Sequence, residues 1–278
     1  MLTLFYLIVF CVGLSFGSFL NCLVYRLASG QTIWGRSFCP KCKKQIVWYD
    51  NIPLISFVLL KGRCRECREK ISWQYPIVEL IMGLLFIIPL IRFSLSGADF
   101  LVLGARGFFL DVLEIFRSWT IFFTLAFIFV YDLKYSAIED AVLLPAAGIV
   151  FVLNLFARPL LDSLSGLSLS ARFVQMALAV LIGAGFFALQ YFLTKGKGIG
   201  LGDLRIGIFM GAVCAHWSTL CLALTVSYLL GSLVSLVLIV FKKKKFKSAV
   251  PLGPFLAAGT FLLFIFGQEI LGIIARTF

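Results

Sequence analysis

The sequence predicts an all-α polytopic membrane protein, with about eight transmembrane helices and one small metal-binding domain. Hydrophobic residues make up 61% of the 278 residues and charged residues only 14%, whereas soluble domains are roughly 45–50% apolar. Apolar stretches long enough to cross about 30 Å of hydrocarbon recur along most of the chain. Two Cys-x-x-Cys pairs lie in the one long polar stretch, residues 26–76.

Eight apolar segments are predicted to span the membrane. The first is too long for a signal peptide and lacks a small-residue cleavage site, so it is predicted to remain as a true span. The sixth is the shortest, at 13 residues. In chain order the segments are 2–24, 77–93, 118–135, 140–157, 171–193, 204–216, 218–241 and 252–274.

Lysine and arginine are distributed unevenly between the two sides of this topology. Of the 25 basic residues, 19 fall on the side that holds residues 26–76, Lys134, residues 195–205 and residues 242–247. Because the cytoplasmic side carries the excess of basic residues, residues 26–76 are predicted to be cytoplasmic and both termini outside. The net charge of +12 then reflects this bias and contact with anionic lipid, and no nucleic-acid partner is expected.

The polar stretch contains a predicted zinc site. Two Cys-x-x-Cys pairs at zinc-ribbon separation favour a tetrahedral four-cysteine site, and the reducing cytoplasm argues against disulfides. Four thiolates leave zinc no open position, so its role is structural, and it compensates for a core too small to fold alone. The predicted ligands are Cys39, Cys42, Cys64 and Cys67.

Several catalytic classes are excluded by the composition of the chain. His216 is the only histidine, it is predicted near the external face, and no His-Glu-x-x-His motif occurs, which excludes a zincin. A histidine-activated nucleophile would depend on this one residue, on the wrong side of the membrane from the polar domain. The glycine run at residues 196–202 follows a membrane helix rather than a strand, so it is not a dinucleotide fingerprint.

Carboxylates at the cytoplasmic ends of spans are the remaining candidates for chemistry. Asp132 ends the third span and Asp203 begins the sixth, with Glu139 and Asp140 nearby. Two such carboxylates can share one proton and activate a water molecule between them. Asp140 follows Asp132 by eight residues, so either could face Asp203. The alternative is a set of interfacial acids that form ion pairs with Lys134 or Arg205.

Seven segments, taken together and in order, resemble the bacterial type IV prepilin peptidases, membrane aspartic proteases of the Gly-x-Gly-Asp class that also N-methylate their product. Two departures are Glu139, where the family usually has proline, and Arg205, where it usually has lysine. The matching segments are Gly17–Asn21 with Arg26, Ser37–Cys42, Trp48–Leu54, Cys64–Cys67, Ile71–Glu79, Asp132 and Asp140 with Gly198–Asp203, and Pro251–Gly259.

The resemblance implies a function and several site residues. It implies cleavage of the basic leader of type IV prepilins, or of the related pseudopilins of type II secretion, in the cytoplasmic (inner) membrane. It also implies S-adenosylmethionine as methyl donor. Asp132 and Asp203 correspond to the catalytic pair, and Gly198, Gly200, Gly202 and Asp140 support it. The methyl-transfer candidates are Gly17, Asn21 and Glu79.

Two other classes of function stay open at this point. A membrane transporter would explain acids within spans, although these should lie near the midplane. A non-enzymatic assembly factor would use the zinc domain as a docking surface and give Asp203 no role. The expected organisation is a first transmembrane helix (1–25), a cytoplasmic zinc domain (26–76) and a transmembrane catalytic domain (77–278).

Overall fold

The computed structural model describes residues 2–95, 100–156, 167–196, 198–241 and 250–277, and helices account for most of these residues. This confirms the all-helical class, and a helix covers most of each of the eight predicted spans. The elements are α1 (Leu2–Ala28), a 3-10 turn (Trp48–Asn51), α2 (Ile55–Leu59), α3 (Gln74–Leu95), α4 (Phe100–Tyr135), α5 (Asp140–Phe156), α6 (Leu169–Thr194), α7 (Leu201–Cys214), α8 (Trp217–Val240) and α9 (Gly253–Thr277).

Within the described residues, five helices contain a segment long and apolar enough to cross a membrane. These segments are Thr3–Ala28, Gln74–Ile91, Phe109–Tyr135, Leu169–Thr194 and Trp217–Val240. Helix α5 and the Gly253–Gly267 part of α9 are apolar but shorter. The chain is therefore a multi-pass membrane protein, and the count of eight spans stays a prediction.

Helix α4 begins at Phe100, well before the predicted start of the third span at residue 118. The sequence pattern missed this part because charged residues, among them Asp111, Glu114 and Arg117, interrupt the apolar run. In the structure Asp111 and Arg117 are buried within the protein. Charged side chains in membrane helices generally face the protein interior, as these two do.

The chain divides into two compact units, Met1–Gly104 and Ala105–Phe278. In the first unit, α1 packs closely against α3. A Cβ atom added to Gly13 would lie 2.7 Å from the Met82 carbonyl oxygen, and one added to Gly17 would lie 2.6 Å from the Glu79 Cα. Small residues four apart allow membrane helices to approach this closely. The Gly13-x-x-x-Gly17 spacing therefore has a packing role.

In the second unit, α7 is the most deeply buried helix, with most of residues 206–214 inaccessible. Gly207 packs directly on the backbone of Gly183 in α6, and Gly211 does the same at Ala179. Bulkier side chains at these glycines would push α7 away from α6. Because Asp203 lies in the first turn of α7, this close packing also fixes where its carboxylate lies.

The C-terminal end of α7 is held by a series of polar contacts that the sequence did not predict. Helix α7 has 14 residues, about 21 Å, and its last residues are buried in the protein. Asn154 Nδ2 donates to the Ala212 carbonyl at 2.7 Å, and the buried Arg117 Nη1 donates to Asn154 Oδ1 at 2.9 Å. A cation near a helix C-terminus is also favourable. These two hydrogen bonds connect α4, α5 and α7.

Candidate active site

Asp132 lies near the end of α4 with only 7% of its surface exposed. Its Oδ2 accepts the N–H of Gly253 at 2.9 Å, and Gly253 is the first residue of α9. The partial positive charge of a helix N-terminus favours a carboxylate at this position. A Cβ at Gly253 would lie 2.5 Å from the same oxygen. Only glycine therefore fits at Gly253 while Asp132 keeps this contact.

Asp203 lies in the first turn of α7, where it is partly buried. Its Oδ2 accepts the N–H of Gly200 at 3.1 Å, so the carboxylate also caps its own helix. A side-chain acceptor for the unpaired N–H groups at a helix start is a common stabilising device. The described hydrogen bonds of Asp132 and Asp203 each use Oδ2.

Asp132 and Asp203, which the sequence offered as one of several possible pairs, lie in the same region of the second unit. Asp132 and Asp203 lie close enough for their charges to interact, although they are 71 residues apart in the chain. Two carboxylates a few Å apart cannot both ionise cheaply, so a pair of this kind would share one proton. A pair that holds one proton can act as acid and base in the same step.

Of the three glycines before Asp203, Gly202 has the clearest steric requirement. An added Cβ would lie 2.8 Å from Ile138 Cγ1, in the loop between α4 and α5. Gly200 precedes α7 and donates the N–H to Asp203, and Gly198 is exposed beside Thr194. Gly202 thus lets the start of α7 approach the loop that follows Asp132.

The nearby acids have other partners. Arg205 Nε lies 2.8 Å from Asp140 Oδ1, as the interfacial ion-pair hypothesis predicted for this residue. Glu139 Oε2 accepts the hydroxyl of Tyr131 at 3.4 Å. Asp140 is thus paired with Arg205, whereas the charge of Asp132 interacts with that of Asp203.

Tyr228 was not predicted as part of this region. Its hydroxyl donates to Gln190 Oε1 at 3.0 Å, which joins α8 to α6, and its phenol lies within electrostatic range of Asp203. The only signal in the sequence was a tyrosine and a glutamine within otherwise apolar spans. Such polar residues in membrane helices usually have a partner.

His216 has a structural role, as expected. It precedes α8, and its Nδ1 accepts the N–H of Ser218 at 3.3 Å. A residue before a helix that accepts a hydrogen bond from its first turn is an N-cap.

The four predicted metal ligands form one cluster. The sulfur atoms of Cys39, Cys42, Cys64 and Cys67 all lie within 4.8 Å of one another, and the Cys39 and Cys67 sulfurs are 3.8 Å apart. Tetrahedral zinc with bonds of about 2.3 Å separates its sulfur ligands by about 3.8 Å. This donor set fits zinc, and no other group of acidic, histidine or cysteine side chains in the described ranges has a comparable arrangement.

The two Cys-x-x-Cys turns have the same local backbone geometry. Lys43 N–H donates to the Cys39 carbonyl at 2.9 Å, and Arg68 N–H donates to the Cys64 carbonyl at 3.1 Å. Lys43 and Arg68, each directly after a second cysteine, have φ of 61° and 59°. This left-handed conformation is unfavourable for residues other than glycine. Two turns therefore adopt the same strained backbone, which directs their sulfurs toward one point.

The pKa values of two thiols in the cluster, those of Cys39 and Cys67, shift in opposite directions. Burial raises the pKa of Cys39, but the backbone of Cys42 and Lys41 and the neighbouring thiols outweigh this effect and lower it to about 7. Near Cys67 the backbone of Glu69 favours the thiolate, yet burial and the other thiols raise its pKa to about 11. A bound divalent cation would favour the ionised form of both thiols, since it stabilises every ligating thiolate.

The methyl-transfer candidates lie together in the first unit. Asn21 is buried; its Nδ2 donates to the Gly17 carbonyl at 3.2 Å and the Tyr75 carbonyl at 3.3 Å, and its Oδ1 accepts from Gln74 Nε2. These bonds give Asn21 a structural role, because they hold α1 against the start of α3. Glu79 is the carboxylate of this group, and its Oε2 accepts the Leu54 N–H at 2.8 Å.

The helical membrane fold and the paired aspartates fit the class of membrane-bound aspartic peptidases. Residues 11–93 match the bacterial peptidase A24 N-terminal domain, and residues 119–236 match the type IV leader peptidase family. No solved structure shows significant similarity to the chain.

Several similar proteins bear the name prepilin leader peptidase/N-methyltransferase. One from Vibrio cholerae serotype O1 is 33% identical over 68% of this chain and 83% of its own length. One from Pseudomonas putida is 29% identical over 93% of this chain and 90% of its own length. One from Myxococcus xanthus is 48% identical over 92 residues, 33% of this chain and 28% of its own length. The chain belongs to the type IV leader peptidase family.

Proposed function

We propose that this protein cleaves the leader peptide from prepilins or pseudopilins and N-methylates the new N-terminus, with Asp132 and Asp203 as the catalytic pair. The observation that carries this proposal is the convergence of these two aspartates at the ends of α4 and α7. Their charges interact, and Asp132 is almost fully buried.

The pair can perform peptide hydrolysis in two steps. The ionised carboxylate takes a proton from water, and the resulting hydroxide attacks the scissile carbonyl carbon while the protonated carboxyl donates to its oxygen. The C–N bond of the resulting gem-diol then breaks: the first carboxyl gives its proton to the leaving amine, and the second carboxylate takes a proton from one hydroxyl, which restores the singly protonated pair. The Gly253 N–H holds Asp132, and the Gly200 N–H holds Asp203, so little reorganisation is needed.

The proposed topology has eight spans, with both termini outside and residues 26–76 in the cytoplasm. The uneven distribution of lysine and arginine supports this orientation. The proposed organisation keeps a first transmembrane helix (1–25), a zinc-ribbon-like domain (26–76) and a catalytic domain (77–278). Cleavage would then occur at the cytoplasmic face, where a basic leader is drawn to the acids near Asp132.

When bound, S-adenosylmethionine would supply an electrophilic methyl group for the new terminal amine. The candidates for binding it are in the first unit, around Glu79, whose carboxylate suits the positive charges of the donor. Gly17 and Asn21 would shape this region through the α1–α3 contact. Methyl transfer depends mostly on positioning of the amine and the donor.

A cleavage assay separates this function from a transporter or an assembly factor. The purified protein in nanodiscs is incubated with a prepilin, and intact-mass spectrometry measures loss of the leader and gain of a methyl group. We expect both changes with the wild type, and no loss of the leader with Asp203→Asn. A transporter or an assembly factor would leave the prepilin mass unchanged in both samples.

We expect about one zinc per purified chain, and its loss when Cys39→Ser and Cys64→Ser are combined. Each turn would then lack one thiolate, and because metal binding and folding are coupled, residues 26–76 should become sensitive to protease. Zinc is measured by elemental analysis and the digestion pattern by mass spectrometry.

The matched control for zinc is Cys11→Ser with Cys221→Ser, at two exposed cysteines on α1 and α8. This variant should retain zinc and the wild-type digestion pattern. A metal-free wild-type preparation with a protease-resistant 26–76 segment would show that the four-cysteine site is not a zinc site.

The two activities should be separable. Asp203→Asn should still methylate a pre-cleaved pilin, because methyl transfer needs no carboxylate pair that activates water. Asn21→Ala should weaken methylation more than cleavage, since it frees the Tyr75 carbonyl and Gln74 at the start of α3. Both rates are measured by mass spectrometry on the two substrates. Loss of methylation in a folded Asp203→Asn protein would mean that the two reactions share one site.

A further inference from the structure

Helix α2 exposes an apolar face within the polar 26–76 stretch. Ile55, Val58 and Leu59 are 56%, 72% and 73% exposed. Positions i, i+3 and i+4 lie on the same side of a helix, so these three side chains form one surface. A surface of this kind is usually covered by a partner or by lipid.

The position of α2 beside α3 indicates that lipid, rather than a protein partner, covers this apolar face. The Leu54 N–H, directly before α2, donates to Glu79 Oε2 at 2.8 Å. Glu79 is five residues after the start of α3 at Gln74, about 7.5 Å along the helix axis. The segment Gln74–Ile91 is apolar enough to cross a membrane. Helix α2 therefore begins beside the first turns of a transmembrane helix, at the depth of the membrane surface.

Trp73 gives a second, independent marker of this depth. It immediately precedes α3, is 69% exposed, and its ring lies 5.0 Å from that of Phe57 in α2. Tryptophan is enriched at the membrane–water interface, where one part of the ring is in apolar surroundings and the N–H is near water. The ring contact places α2 at the same level as Trp73.

The charges around α2 fit a lipid surface. Lys61 and Arg63 follow α2 and are exposed. The 26–76 stretch as a whole has ten basic residues and three acidic ones, Asp50, Glu66 and Glu69. Basic residues near a membrane surface are attracted to anionic headgroups. A protein partner on this face would have to replace lipid that already surrounds the start of α3.

We propose that α2 is an interfacial helix: Ile55, Val58 and Leu59 insert into the headgroup–acyl boundary of the bilayer, and Lys61 and Arg63 bind anionic lipid headgroups. The four-cysteine domain, which α1 and α3 already connect to the membrane, is thereby held against the membrane surface at a third point. This inference does not depend on the proposed catalytic function.

The test is photocrosslinking in nanodiscs that contain phosphatidylethanolamine and phosphatidylglycerol. A diazirine-bearing aliphatic amino acid replaces Leu59 in the full-length protein, and mass spectrometry identifies what it captures. The control position is Glu69, an exposed charged residue two positions after the second Cys-x-x-Cys pair. We expect lipid adducts at position 59 to exceed those at position 69 by about tenfold, because one buried leucine favours lipid by at least that factor.

Each other outcome overturns the proposal. Adducts at position 59 to a second copy of the chain or to another protein would assign the face to a protein partner. Equal lipid capture at both positions, or capture of water alone at position 59, would show that α2 does not insert. Val58, on the same face, serves as the second labelling position if the Leu59 substitution prevents folding.

Discussion

Asp132→Asn and Asp203→Asn are each expected to lower the rate of leader cleavage by about a thousandfold or more. Asparagine keeps the size of the side chain and can still accept the hydrogen bonds from Gly253 or Gly200. It cannot exchange a proton with water or with the other carboxyl group. The protein should therefore remain folded in the membrane while cleavage is lost, as measured by the time course of leader removal from a prepilin.

Asp140→Asn is the matched control for these two variants. Asp140 lies in the same region but forms an ion pair with Arg205, and both side chains are partly exposed, at 43% and 35%. Exposed ion pairs contribute little to stability, so only a few-fold loss of cleavage is expected. Full cleavage by a folded Asp132→Asn or Asp203→Asn protein would refute the assignment of the pair.

Gly253→Ala is expected to reduce cleavage by about a hundredfold, although it adds only one methyl group. The new Cβ would lie 2.5 Å from Asp132 Oδ2, 3.0 Å from its Cγ and 3.2 Å from its Cβ. Either the Asp132 side chain rotates or the start of α9 moves, and both changes disturb the hydrogen bond from the residue 253 N–H. A displacement of about 1 Å at a catalytic group is sufficient for a loss of this size.

The control for Gly253→Ala is Gly148→Ala in α5, where an added Cβ would meet nothing within 4 Å. Alanine at that site should leave cleavage unchanged and favour the helix by roughly 0.5–1 kcal/mol. Wild-type cleavage by Gly253→Ala would mean that the contact between Asp132 and the start of α9 has no role in the reaction.

The sequence predicted the parts of this protein that depend on local pattern. Apolar segment length located eight helices, and Cys-x-x-Cys spacing predicted the four clustered cysteines. Carboxylates at span ends narrowed the candidates to four acids, but spacing alone left Asp140 and Asp132 equally able to face Asp203. In the structure Asp140 forms an ion pair with Arg205, and this contact depends on how α5 and α7 pack.

The remaining features depend on contacts between distant parts of the chain. The Gly253 N–H reaches Asp132 across 121 residues, and Asn154 reaches the Ala212 carbonyl across 58 residues. No sequence periodicity encodes such partners, although Gly253 lies in the Pro251–Gly259 segment that resembled the family. The proposed depth of α2 likewise rests on contacts between segments that are separate in sequence, the Leu54–Glu79 hydrogen bond and the Phe57–Trp73 ring contact.

The most direct test of the central claim is the pH dependence of kcat/KM for prepilin cleavage by the wild-type protein in nanodiscs. A pair of carboxyl groups that shares one proton is active only in its singly protonated state. The profile should therefore be bell-shaped, with two apparent pKa values that belong to the pair. A profile with a single ionisation, unchanged in shape by Asp132→Asn or Asp203→Asn, would contradict the account.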